Sequence, residues 1–261
     1  MNKTRMTILV LLLFGAFFSS NSTTAAVWEE DIIGIGKGWE TEVYIYDTKK
    51  EGPSVLLVGG VHGDEPAGAL AIKELLPELT IDIGKLVVVP EANKQALELD
   101  LRYPPGAEDL NRAFVDKEPE SWTEKLAKEI YQLIEKHNID FVFDLHEARD
   151  YYRINPDSVG QTIIFNGQGE EIFLAWDIAD KINPLLFPIE RFIILSPTAR
   201  DSLTRRAHEE LGLTTFIIET TRKQDLDVRI KQQKMVVLSA LKLLGLKEDL
   251  KLEDLDLFRS H

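Results

Sequence analysis

Two rhythms of apolar residues alternate along this chain. Short continuous or alternating apolar runs are followed by stretches with apolar residues three and four apart, the signatures of strand and helix. Thr41-Glu-Val-Tyr-Ile-Tyr46 alternates and predicts a strand. Ser54 to Val61 is almost continuously apolar, as a strand buried on both faces must be. It stops at Gly63-Asp64, and Pro66 opens a helix that carries Leu70, Ile72, Leu75 and Leu76 and ends near Pro77. Lys85 to Pro90 predicts the next strand. Residues 91–120 hold no clean period, and Pro104-Pro105-Gly106 marks a loop within them. An irregular stretch of that length in a compact domain is usually functional.

The same reading continues to the C-terminal end. Ser121 to His137 reads as a helix with Ser121 as N-cap and Glu124 as its capping-box partner. Phe141 to Leu145 is a buried strand and Gln161 to Phe165 another. Glu170 to Ile182 is helical, Phe192 to Leu195 a short strand, and Asp201 to Leu211 a helix closed by Gly212. Thr214 to Glu219 is a strand, and Asp227 to Leu244 a long amphipathic helix closed by Gly245. No internal repeat and no interdomain linker interrupts the series. Apolar strands alternating with helices predict an α/β fold, a single domain whose mostly parallel central sheet is flanked by helices.

Composition narrows the chemistry. The 261 residues include 30 Lys and Arg against 44 Asp and Glu, a net charge of −14. No basic surplus is available to displace counterions from a phosphate backbone, so nucleic acid is not an expected partner. Cysteine is absent. That removes disulfides, thiolate metal sites and a thiol nucleophile, and leaves any metal to His and carboxylates. Residues 1–26 read as an export signal: Lys3 and Arg5, then the apolar run Thr7–Phe18, then small residues ending Thr24-Ala25-Ala26. The run is shorter than the roughly 18–20 residues of a spanning helix. The expectation is a cleaved signal, a catalytic domain over 27–245, an acidic C-terminal tail over 246–261, an extracytoplasmic location and no stable membrane span after cleavage.

Ligand sites in such sheets lie at the carboxyl ends of strands. The polar residues found there are few. His62 and Glu65 follow the strand 54–61, His146 follows 141–145, and Glu219 ends 214–219. Two His and a carboxylate are the ligand set of many catalytic zinc sites. A bare His-x-x-carboxylate is weak evidence, because His137-Asn-Ile-Asp140 has the same form. His137 reads instead as a helix-terminal histidine favoured by the helix dipole, and His208 as solvent-facing. His62 stands apart through its context, between a buried strand and a helix start and among glycines.

Four motifs carry a family likeness: GGVHGDEPAG at 59–68, DLNRAF at 109–114, DLHE at 144–147 and IIET at 217–220. In this order and spacing the chain resembles the succinylglutamate desuccinylase/aspartoacylase family, within the wider zinc carboxypeptidase A-like superfamily. The resemblance covers roughly residues 40–245. It implies a zinc carboxypeptidase/phosphorylase-hydrolase-like fold and one Zn2+ per chain. His62, Glu65 and His146 are its implied ligands. It further implies that Glu219 is the general base, that Arg112 with Asn111 binds a substrate carboxylate, and that Arg102 polarises the scissile carbonyl. Arg102 lies farther from Arg112 than the family pattern has it.

Asp109 is expected to orient the Asn111–Arg112 pair, and Asp144 either to support His146 or to be structural. No role is assigned to Tyr151, Tyr152 or the cluster Arg200, Arg205 and Arg206. Relatives of the aspartoacylase branch carry a C-terminal β-rich domain that is not expected here, which would leave the site open. The function implied is zinc-dependent hydrolysis of an amide bond near a free carboxylate, in an N-acyl amino acid or a peptide. A carboxypeptidase acting on peptidoglycan stem peptides is the enzymatic alternative, and a non-catalytic carboxylate binder the alternative of another class.

Overall fold

The computed structural model describes residues 28–249 apart from residues 168 and 170. The apolar run at Thr7–Phe18 and the segment 250–261 lie outside the described residues. Among the described residues no helix is long and apolar enough to cross a membrane.

One eight-stranded sheet organises the chain, in the order β1-β2-β4-β3-β5-β8-β6-β7. The strands are β1 (Trp28–Ile33), β2 (Thr41–Asp47), β3 (Ser54–Gly59), β4 (Lys85–Val89), β5 (Phe141–Ala148), β6 (Thr162–Asn166), β7 (Ile193–Leu195) and β8 (Thr214–Thr221). The helices are α1 (Pro66–Leu75), α2 (Lys94–Leu99), α3 (Trp122–His137), α4 (Glu171–Ile182), α5 (Leu203–Leu211) and α6 (Leu226–Leu243). The central strands β4-β3-β5-β8 run parallel. β1 and β2 join antiparallel at one edge, and β6 runs against β8 at the other with β7 parallel to it. The expected α/β domain with a mostly parallel centre is present.

Strand pleating divides the interior in two, because successive side chains point to opposite faces. Val55, Leu57, Phe143, Leu145, Phe216 and Ile218 face α1, α4 and α6. Leu56, Val58 and Val142 face α3 and α5. Phe143 and Phe216 stack across neighbouring strands with centroids 4.8 Å apart. The chain leaves β3 through α1 to reach β4 on one side, then returns through α3 to β5 on the other. The carboxyl ends of β3 and β5 therefore flank the point where the topology reverses, the usual crevice for a ligand in open α/β sheets.

Several elements differ from the sequence pattern. β1 was not predicted, since Glu29, Glu30 and Asp31 break its apolar period; it is an edge strand and tolerates them. α2 has six residues, too few for a helical period, and Asn93 caps it through Ala96 N–H. β5 runs on to Ala148, so His146 lies within a strand rather than after it, and β8 continues two residues past Glu219 to Thr221. α3 carries the expected capping box of Ser121 and Glu124. Leu246, assigned to the tail, is fully buried and its carbonyl accepts Asp82 N–H, so it belongs to the core.

The loop after β3 is pressed against α2. Gly60 has φ +70°, a conformation that favours glycine. A methyl group on Gly63 would stand 1.8 Å from the carbonyl oxygen of Ala96. We expect Gly63→Ala to push the loop off α2 and destabilise the protein by about 1–3 kcal/mol. Chemical denaturation at a constant m-value measures this, and a wild-type midpoint would refute the tight packing.

Candidate metal centre

The structure brings His62, Glu65 and His146 together. One ligand atom from each falls within 4.8 Å of the others, and all three residues are buried. His62 and Glu65 sit on the loop between β3 and α1, and Glu65 immediately precedes α1. His146 comes from β5. The two rings meet edge to face with centroids 4.9 Å apart. Nδ1 of His62 lies 3.0 Å from one Glu65 oxygen and Nδ1 of His146 lies 3.0 Å from the other. Nδ1 of His62 is enclosed and makes no hydrogen bond despite this approach. Two imidazoles and one carboxylate converging in this way fit a divalent metal ion, which would take the lone pairs that no proton donor satisfies.

Each ring is backed by a second carboxylate. Nε2 of His62 is 2.9 Å from Oδ1 of Asp109. Nε2 of His146 is 3.0 Å from Oδ2 of Asp144, which is completely buried. Such carboxylates fix ring orientation and raise the basicity of the ligating nitrogen. Asp109 thus does more than expected: it receives the Asn111 N–H at 2.9 Å and also holds His62. Asp144 Oδ2 and His146 Nε2 approach each other without making a hydrogen bond, so their contact is electrostatic only.

Glu65 is contacted from two further directions. Oε1 accepts from Arg102 Nη1 at 3.0 Å, and Oε2 accepts the main-chain N–H of Glu147 at 3.1 Å. Burial alone would raise its carboxyl, but the facing imidazoles outweigh that and hold it well below the usual range. Asp109 is likewise held low against burial, by His62 and Arg102. Arg102 spans the two carboxylates, giving Nε and Nη2 to Asp109 at 3.1 and 3.0 Å.

Glu219 is the register partner of His146 on the neighbouring parallel strand, so both side chains emerge on one face of the sheet. Its Oε2 is enclosed and has no hydrogen-bond partner. Burial pushes its carboxyl well above the usual carboxylate range, and the attraction of His146 offsets only part of that. A carboxylate held basic beside a metal-ligand cluster is suited to take a proton.

The remaining predicted residues are spread around this centre. Asn111 is buried with Oδ1 unpartnered. Arg112 is exposed and donates from Nη1 to its neighbour's carbonyl, Asn111 O, at 2.6 Å; among the described residues no carboxylate pairs with it. The arginine cluster resolves into structure. Arg205 and Arg206 pair with Glu209 and Glu210 one turn on, and Arg206 also lies 4.1 Å over the Tyr131 ring. Arg200 is exposed with no ion pair among the described residues.

Tyr151 and Tyr152 are half-buried in the loop after β5, where Tyr151 bridges Gly160. His208 is not solvent-facing: it is half-buried, with Nδ1 3.0 Å from Leu213 O. His137 ends α3 as expected, but burial, with Lys136 and Lys85 nearby, lowers its pKa and outweighs the helix dipole. Glu147, not singled out in the sequence, is buried directly after His146 and accepts Ala67 N–H at 2.6 Å. The DLHE motif contained it, but nothing in the pattern tells which face it serves.

Comparison with known proteins agrees with the motif resemblance. Residues 51–156 match the Succinylglutamate desuccinylase/Aspartoacylase catalytic domain. Three of the four motifs lie in that span; IIET lies beyond it. The N-alpha-acetyl-L-2,4-diaminobutyric acid deacetylase of Halomonas elongata is 36% identical over 101 residues, 38% of this chain and 29% of the relative. The N-acyl-aromatic-L-amino acid amidohydrolase (carboxylate-forming) of Xenopus tropicalis is 30% identical over 156 residues, 55% of this chain and 47% of the relative. The cell shape determinant protein Csd4 of Helicobacter pylori superposes with a TM-score of 0.68 at 28% identity, covering 77% of this chain and 54% of that one. This chain therefore spans about half or less of the length of these relatives.

We expect His62→Ala and His146→Ala each to abolish tight uptake of one divalent ion per chain. Metal analysis after dialysis reads this directly, and wild-type metal content in either variant would remove that residue from the ligand set.

Proposed function

We propose that this chain, whose residues 51–156 match the succinylglutamate desuccinylase/aspartoacylase catalytic domain, is an exported zinc-dependent hydrolase. Its substrate is an amide whose scissile bond lies near a free carboxylate. The observation that carries the reading is the convergence of His62, Glu65 and His146 within 4.8 Å, with the unpartnered Glu219 in register beside His146.

His62, Glu65 and His146 would hold one Zn2+. When bound, zinc supplies Lewis acidity and lowers the pKa of a water molecule to about 7. Glu219 accepts the proton of the attacking water and returns it to the leaving amine, which its raised basicity favours. Arg112 grips the substrate carboxylate with its two-pronged guanidinium, assisted by Asn111. Arg102 keeps N–H groups beyond those given to Glu65 and Asp109 and turns one toward the scissile carbonyl. Water, rather than a protein nucleophile, attacks; the chain has no Cys and no activated Ser is proposed.

The motif match and the curated relatives support an N-acyl amino acid as substrate. A peptide with a free carboxylate is the second reading. It is supported by Csd4, which an mDAP-bound structure describes as a D,L-carboxypeptidase, at 26% identity, a TM-score of 0.65 and 75% of this chain. The export signal read at residues 1–26 favours the peptide, since a cell-wall fragment is at hand outside the cytoplasm. A pure binder would have no use for Glu219.

Purified protein is expected to contain one zinc per chain. Glu219→Gln keeps the zinc and loses about 10²–10⁴-fold in turnover, the usual contribution of a general base; wild-type turnover in this variant would eliminate Glu219 as the base. A panel of N-acyl amino acids and stem peptides separates the two substrate classes, and no cleavage of either would leave the binder. Amino-terminal sequencing of the exported protein is expected to begin at Val27.

A further inference from the structure

The face of the sheet opposite the imidazoles carries a buried polar layer supplied by α6. A helix packed on a sheet normally presents apolar groups there, and Val236, Val237 and Leu241 do so. Arg229 and Gln233 interrupt them. Gln233 is completely buried; its Nε2 donates to the main-chain carbonyl of His146 at 2.9 Å and to Thr220 Oγ1 at 3.2 Å. Arg229 Nη1 pairs with Oε2 of Glu147, whose side chain is fully buried. The other oxygen of Glu147 accepts Ala67 N–H at the start of α1, and the main-chain N–H of Glu147 donates to Glu65. Burying an amide and a guanidinium at a helix–sheet contact is costly unless their hydrogen bonds are made. Gln233 Oε1 and Arg229 Nε stay buried without a partner, and the bonds that are made end on the backbone of His146 and on Glu147, whose N–H holds Glu65.

We infer that Arg229 and Gln233 of α6 are positioning residues for the metal centre, fixing His146 and Glu65 from behind the sheet. Gln233 sets the height of the His146 main chain relative to β8. Arg229 holds Glu147, and Glu147 ties the first turn of α1 and the Glu65 carboxylate to β5. Together they keep donors from two separate elements at the spacing of a single ion. The inference rests on the metal reading proposed above.

The test is zinc affinity, measured by competition with a chromophoric chelator, alongside thermal unfolding of the metal-free protein. Gln233→Met and Arg229→Met keep the side-chain volume and remove the hydrogen bonds. Each is expected to fold and to bind zinc roughly 10–100-fold more weakly, the range seen when groups supporting metal ligands are lost. Arg229→Lys keeps the charge without the fork and is expected to recover part of the affinity. Thr48→Val, which removes the Oγ1 hydrogen bond to Gly84 O at the opposite end of the sheet, is expected to lower the unfolding temperature and leave zinc affinity at the wild-type value.

If one methionine variant fails to fold, the other and Arg229→Lys decide. Wild-type zinc affinity in the folded variants overturns this inference alone. So does a loss that Thr48→Val reproduces, because it would reflect stability in general. A wild-type protein that takes up no zinc overturns the functional reading and this inference with it.

Discussion

A carboxylate cannot be carried into a protein interior without compensation, and the Glu65 carboxylate is nearly all enclosed. Every element around it answers that requirement. The loop from β3 supplies His62, β5 supplies His146 and the Glu147 N–H, and the long irregular segment supplies Arg102. Each of those side chains faces a further carboxylate, His62 and Arg102 at Asp109 and His146 at Asp144. The arrangement is therefore a closed circuit of opposite charges around one buried group. The metal cation proposed above would enter it as a further compensating charge.

The parts of this design legible in the sequence were those in which burial and polarity agree. SVLLVG is buried at every position and reads as a central strand, and Pro66 marks the first residue of α1. His62 and Glu65 could be found because they interrupt that strand–helix junction with polar groups among glycines. The misreadings arose where polar residues are buried. The apolar run of β5 ends at Leu145, yet His146 and Glu147 continue the strand in full burial. Thr220 and Thr221 extend β8 beyond Glu219 in the same manner.

Other features had no one-dimensional signal. Asp109 binds His62 across 47 residues and Glu147 meets Arg229 across 82, so neither pairing has a local spacing to read. The charge preference of His137 was inferred from the helix dipole, but its burial and two lysines act more strongly. α2 is too short to display a period, although it is the surface against which the loop bearing His62 rests. The long segment 91–120 was legible as functional while its contents, a short helix, Arg102 and the Asp109 turn, were not.

The sequence distances in this centre also set an order of assembly. Glu65 and His146 are 81 residues apart, and Gln233 lies a further 87 beyond His146. A chain made from its N-terminus has all three metal donors before Glu219 exists, and Glu219 before α6 can support β5. Contacts of such separation are slow to form, because loop closure must precede the gain from pairing. The unfinished molecule thus holds metal-binding groups without the residue assigned to proton transfer. Under the proposed function, hydrolysis would await the last strand, and α6 would support the ligands from the rear only after it.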